Sequence, residues 1–120
     1  MMLMATSTTD LASKAWDLLC SGHYEDALAI YDRLRPKLEP KDWRHVSDRG
    51  TVLMALRRYD EAEAEFKLAS DCSVRESRGE SQPYLEMIGA AQWLTGRLDE
   101  AAATWKSEVD GLISKKIKFA

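Results

Sequence analysis

Proline and glycine are scarce in this chain, three and six residues of 120. Few positions therefore interrupt a backbone hydrogen-bond ladder, and most of the chain is free to be helical. Cysteine is rarer still. Cys20 and Cys72 lie far apart, each without a second cysteine nearby, and are expected as reduced thiols packed like small apolar side chains. The two histidines, His23 and His45, are not spaced as ligands on one helical face and lack the cysteine company of a structural zinc site. No metal and no cofactor is expected. There is no Gly-rich phosphate loop, metal-spaced cluster or nucleophile elbow, so the chain does not read as an enzyme. Excess positive charge is also missing. The formal net charge is -3 and the pI ≈ 5.4, which leaves no broad cationic field for a phosphate backbone, and nucleic acid is not an expected partner. No apolar run is long enough to span a bilayer, so no membrane partner is expected either. The opening Met1-Met2-Leu3-Met4 is too short for the apolar core of a signal peptide, and a cytoplasmic protein is expected.

What the chain does have is a spelling that occurs three times. Tyr24-Glu25-Asp26-Ala27 leads to Tyr31, Tyr59-Asp60-Glu61-Ala62 to Phe66, and Leu98-Asp99-Glu100-Ala101 to Trp105. Each copy is a bulky residue, two acids, an alanine, three further residues and an aromatic. The period is in the mid-thirties, with a few extra residues before the third copy, which marks a stacked helical array.

Taken in order, Thr9 or Asp10 can cap a first helix carrying Leu11, Ala12, Ala15, Trp16, Leu18 and Leu19, and Gly22 ends it. A second helix starts near Tyr24, with Glu25 and Asp26 against the positive end of its dipole, and finishes by Arg35, before Pro36. The third runs from about Asp42 to Arg57, with Arg57-Arg58 where a turn glycine would stand. The fourth starts at about Tyr59. Glu61, Glu63 and Glu65 on it are expected as a solvated face. Residues 71–82, the most polar stretch, read as a mobile loop, after which Ser81 and Pro83 open a fifth helix ending at Thr95. The sixth starts near Asp99 and reaches at least Val109, with residues 112–120 as a tail or capping segment.

A helix, a tight reversal and a second helix opened by Y-(D/E)-(D/E)-A-x3-(Y/F/W) resembles the tetratricopeptide repeat, whose pattern is W-x2-L-G-x2-Y followed by A-x3-F in about 34 residues. The first-helix half reads Leu11-x2-Lys14-Ala15-x2-Leu18, Val46-x2-Arg49-Gly50-x2-Leu53 and Leu85-x2-Ile88-Gly89-x2-Gln92. Lys14, Arg49 and Gln92 depart from the apolar preference of the family. The resemblance implies an all-α fold, a right-handed superhelical array of antiparallel helix pairs. It forms one domain over 1–120, with repeats at about 9–40, 41–75 and 81–112. The small residues at 15, 50 and 89 and the alanines at 27, 62 and 101 should let paired helices approach, while the aromatics at 31, 66 and 105 fill the core.

The resemblance also implies that the first helices line a concave groove that binds a peptide or a partner helix. Beside Ala12, the candidate groove residues are Trp16, Leu19, Arg44, Ser47, Asp48, Thr51, Met54, Glu86, Ala90 and Trp93. Trp16, Met54 and Trp93 would be apolar anchors, and Arg44, Asp48 and Glu86 would set polar register. Trp16 and Trp93 also read as residues covering the ends of a short array, and Trp43, at a helix start, reads either way. The family's carboxylate clamp cannot be built from Ala12, Trp16, Ser47, Asp48, Thr51, Pro83 and Met87, which disfavours a C-terminal carboxylate ligand. The alternatives are an assembly protein that forms a homodimer through its C-terminal end, or an antagonist such as an immunity protein.

Overall fold

Ser7, Gly22, Arg57 and Gly96 set much of the punctuation of the fold. The computed structural model describes residues 7–76 and 84–119. Six helices follow one another: α1 (Thr8–Cys20), α2 (Tyr24–Leu34), α3 (Trp43–Ala55), α4 (Tyr59–Glu76), α5 (Leu85–Leu94) and α6 (Leu98–Phe119). Short 3-10 turns at Arg35–Lys37 and Pro40–Asp42 join α2 to α3. α1 starts earlier than Thr9 or Asp10 would allow as caps, because the Ser7 side chain accepts from the Asp10 N–H at 3.0 Å.

The three reversals within helix pairs close alike. In each, one residue is left-handed: Gly22 at φ +84°, Arg57 at φ 62° and Gly96 at φ 82°. The N–H three residues past each helix reaches back to an otherwise orphaned carbonyl: His23 to Leu18 at 2.8 Å, Arg58 to Leu53 at 2.8 Å and Arg97 to Gln92 at 2.9 Å. Arg57 thus does the work of a glycine, and α3 stops at Ala55, short of the expected Arg57.

The chain stacks pair on pair: α1 on α2, α3 on α4, α5 on α6, with α2 meeting α3 and α4 meeting α5. This is an all-α helical repeat. The body is elongated, 60 × 34 × 23 Å, as serial stacking requires. Ala15, Ala27, Ala62 and Ala101 are fully buried where paired helices approach. At Gly50 a Cβ would stand 3.0 Å from the Phe66 ring, and at Gly89 only 2.2 Å from Nε1 of Trp105. Tyr31, Leu34, Leu53 and Phe66 fill the core, each worth about 1.5–3 kcal/mol in transfer free energy.

Trp105 departs from the expectation of a core residue. Tyr31 lies in the field of Asp48 from the following pair, and Phe66 packs on Tyr84 at 6.1 Å, but no pair follows Trp105 among the described residues. It is half-buried against Trp93, with ring centroids 6.1 Å apart, and donates to the Glu86 carbonyl oxygen at 3.3 Å.

Four other expectations are corrected. Glu63 and Glu65 are not solvated, being 6% and 7% exposed, whereas Glu61 is exposed and paired with Arg58 at 2.8 Å. Residues 71–76 are not loop but the end of α4, because Cys72 and Ser73 turn inward three and four residues after the buried Ala69, at helical spacing. The rest of the expected loop, with Ser81 and Pro83, lies outside the described residues. Cys20 is exposed and only Cys72 is buried, since Cys20 sits on the outer face of the last turn of α1. The expected tail at 112–120 is part of α6 as far as Phe119, helical through Gly111, whose missing side chain faces open space.

Candidate binding groove

Both buried glutamates are held by partners from neighbouring elements, with Lys67 of the same helix added at Glu63. Glu65 accepts from Arg35 Nε at 3.0 Å and faces Arg49 Nη1 at 3.4 Å, and Arg49 also donates to Asp32 at 2.8 Å. Glu63 takes Lys67 at 2.9 Å, Gln92 Nε2 at 3.0 Å and the Arg97 guanidinium, while Gln92 accepts from the Thr104 hydroxyl at 2.6 Å. Burial alone would raise the Glu63 carboxyl. The hydrogen bonds from Arg97, Lys67 and Gln92 outweigh it and bring the value to about 2. Arg49 and Gln92, two of the three departures from the apolar family pattern, are therefore among the partners that make acids on α4 tolerable inside the stack.

With that side of the stack closed by ion pairs, the open concavity lies between α1, α3 and the start of α5. It is a cavity of about 450 Å³ lined by Trp16, Trp43, Arg44, Ser47, Asp48 and Tyr84. α1 presents Trp16 one turn beyond the buried Ala12, at the edge of its packed face, and Trp16 remains 44% exposed. α3 presents Trp43, Arg44, Ser47 and Asp48 over its first turns. Trp43 is buried edge-on to Tyr84 at 6.2 Å, and the Arg44 guanidinium lies 4.9 Å from the Trp43 ring centre. Tyr84 has a left-handed backbone, φ 54°, immediately before α5, a conformation costly for a residue with a Cβ. Burial raises its phenol, opposed by the hydrogen bond with Ser47.

Charge in the groove is poorly compensated. Burial raises the Asp48 carboxyl above the usual carboxylate range, and His45, whose Nδ1 is 4.0 Å away, offsets this only in part. Arg44 and Asp48 stand one turn apart on α3 and form no ion pair with each other, because Arg44 stacks on Trp43 instead. The Tyr31 hydroxyl and His45 Nδ1 are buried without a hydrogen bond among the described residues. Burial, and next Asp48, push the Tyr31 phenol upward.

Of the groove residues expected from sequence, the cavity brings together Trp16, Arg44, Ser47 and Asp48. The others stand elsewhere. Leu19 and Met54 are partly buried against the core, and the Thr51 hydroxyl donates to the Ser47 carbonyl at 3.2 Å. Ala90 is half-buried on α5. Glu86 and Trp93 belong to the far end of the stack, Trp93 against Trp105, and Glu86 beside Glu108, whose carboxyl is raised by burial and then by Glu86. The cavity also takes in Tyr84, which the repeat pattern does not mark, and Trp43, which reads either way from sequence. Their common sequence signal is an aromatic at the entry to a first helix.

Among the described residues no helix is long and apolar enough to cross a membrane, and no group of three His, Cys, Asp or Glu is placed to hold a metal ion. Residues 13–73 match the family model of the tetratricopeptide repeat. No curated protein and no solved structure matches the chain.

Proposed function

Because the chain belongs to the tetratricopeptide repeat family, whose members generally mediate protein–protein interaction, we propose that it is a non-catalytic module whose concave face takes an extended peptide or partner helix. The observation that carries this reading is the cavity between Trp16, Trp43 and Tyr84, where the exposed Trp16 ring stands beside two charges that do not neutralise each other. Trp16 is the expected anchor.

The test is selection from a displayed library of random peptides on the immobilised full chain, beside Trp16→Ala. Enriched peptides that bind Trp16→Ala about thirtyfold more weakly, the loss of a central tryptophan hot spot, support the reading. No enrichment above the empty support overturns it. Trp16 is 44% exposed and outside the buried core cluster, so Trp16→Ala should remain folded, which a circular dichroism melt checks.

A specific observation favours a second role, self-association through the C-terminal end. Trp93, Val109, Leu112 and Ile113 are each about half exposed, 52–59%. On α6 the last three recur at helical spacing beyond Trp105. Light scattering on the full chain and on Leu112→Glu separates the two readings. A dimer that becomes a monomer on substitution, with peptide binding unchanged, would support assembly in addition to groove binding; a monomer in both removes it.

A further inference from the structure

The charges lining the groove differ in what a ligand could gain from them. Arg44 is exposed at the rim and already rests on an aromatic face, so its hydration and its cation–π contact are both satisfied. Asp48 is half-buried at the cavity wall. Among the described residues it accepts no hydrogen bond, and its one ion-pair neighbour is His45 at the outer distance of 4.0 Å. A partly desolvated carboxylate without close donors is the least satisfied charge of the site, and a donor cation restores what burial removed. Around it stand three aromatic rings: the Trp43 face is already taken by Arg44, while Trp16, 44% exposed, and the half-buried Tyr84 leave ring surface that attracts cations and excludes water. Aromatic walls with one acid are the inverse of a basic clamp for carboxylates.

We propose that the occupant of this groove presents a lysine or arginine side chain, which lies among Trp16, Trp43 and Tyr84 and pairs with the Asp48 carboxylate. The inference rests on the concave face being the binding face, and adds the chemistry of the partner. The apolar stem of the side chain covers the exposed Trp16 indole while its cationic head reaches Asp48, a combination that suits Lys and Arg. An anionic occupant would instead need Arg44 to leave Trp43, and would bring its charge close to Asp48.

The same peptide selection decides it, with Asp48→Asn as the second bait. Peptides enriched on the wild type should share a basic residue at one position, and the enrichment of that residue should vanish on Asp48→Asn. A selected peptide should bind Asp48→Asn at least about tenfold more weakly in calorimetry. Replacing its basic residue by norleucine should cost the wild type the same factor and cost Asp48→Asn nothing further, as a double-mutant cycle requires. Asp48→Asn keeps the shape of the side chain, and a circular dichroism melt equal to wild type shows that folding is intact. Asp48→Glu, which keeps the charge, should retain the basic preference. Enriched peptides without a common basic residue overturn the inference and leave the concave-face reading standing. Acidic peptides that lose binding on Arg44→Ala overturn it in favour of an anionic occupant. No enrichment at all overturns both.

Discussion

Arg97, in the turn between α5 and α6, lays its guanidinium on the buried carboxylate of Glu63 in the preceding helix pair. The contact fastens the third pair to the second, and its energy depends on ionisation. The Glu63 carboxyl titrates near 2 in the folded chain against an ordinary 4.5, so the fold favours the deprotonated form. Its contribution is therefore complete above the ordinary value and is lost as pH falls from about 4.5 to about 2. With allowance for the solvent-exposed partners, Glu63→Gln should destabilise the protein by on the order of 2 kcal/mol at neutral pH, and the gap from wild type should close on acidification. Urea unfolding across that range measures it. A gap that stays constant with pH would mean that the carboxylate is not held by charge.

At Arg57 the chain keeps a left-handed residue with a side chain where the other two reversals have glycine. The Cβ clash costs about 1–2 kcal/mol, part of which glycine returns as backbone entropy of the unfolded state. Arg57→Gly should therefore stabilise the protein by about 1 kcal/mol, and Gly22→Ala or Gly96→Ala should destabilise it by a similar amount. Denaturant midpoints for the three variants check the opposite signs. Arg57→Gly being destabilising would imply a contact made by the Arg57 side chain.

The helix pairs were legible because their signals are local. A triplet of acid-acid-alanine-aromatic at a fixed period, with glycine or an arginine pair between helices, sets helix starts and reversals without reference to the rest of the chain. Glu63 and Glu65 are not legible as buried because a helix of alternating acids looks solvated until Arg35, Arg49, Gln92 and Arg97 are brought to it from other elements, beside Lys67 of the same helix. The groove was legible at Trp16, Arg44, Ser47 and Asp48, which stand on α1 and α3 at helical spacing. Tyr84 escaped because it precedes α5 and reaches the site through a left-handed backbone that no sequence period encodes.

Gly89 and Trp105 meet so closely that any side chain at 89 displaces the indole. Phe66 faces Gly50 in the same way, but it is locked in the core, whereas Trp105 is half-buried and able to swing outward. Gly89→Ala should therefore cost about 1–3 kcal/mol and move Trp105 off Trp93, breaking its bond to the Glu86 carbonyl. The accompanying sign is a red-shifted tryptophan emission in the folded state. Destabilisation without that shift would mean that the helices separate and the indole stays in place.

Cys20 and Cys72 report on the end of α4. Cys20 is exposed on α1, while Cys72 is 6% exposed and its Sγ lies 3.6 Å from Arg75 Nη2, one turn further along the same helix. If residues 71–76 pack as helix, a thiol reagent should modify one cysteine quickly in the folded protein. The second should react roughly a hundredfold or more slowly, the protection that about 3 kcal/mol of local opening provides. Cys20→Ser should remove the fast phase alone, and mild denaturant should accelerate the slow one. Two equally fast thiols would mean that the last turns of α4 are open in solution, and with them the wall of side chains around Val46, Leu68 and Cys72 on the side away from the groove.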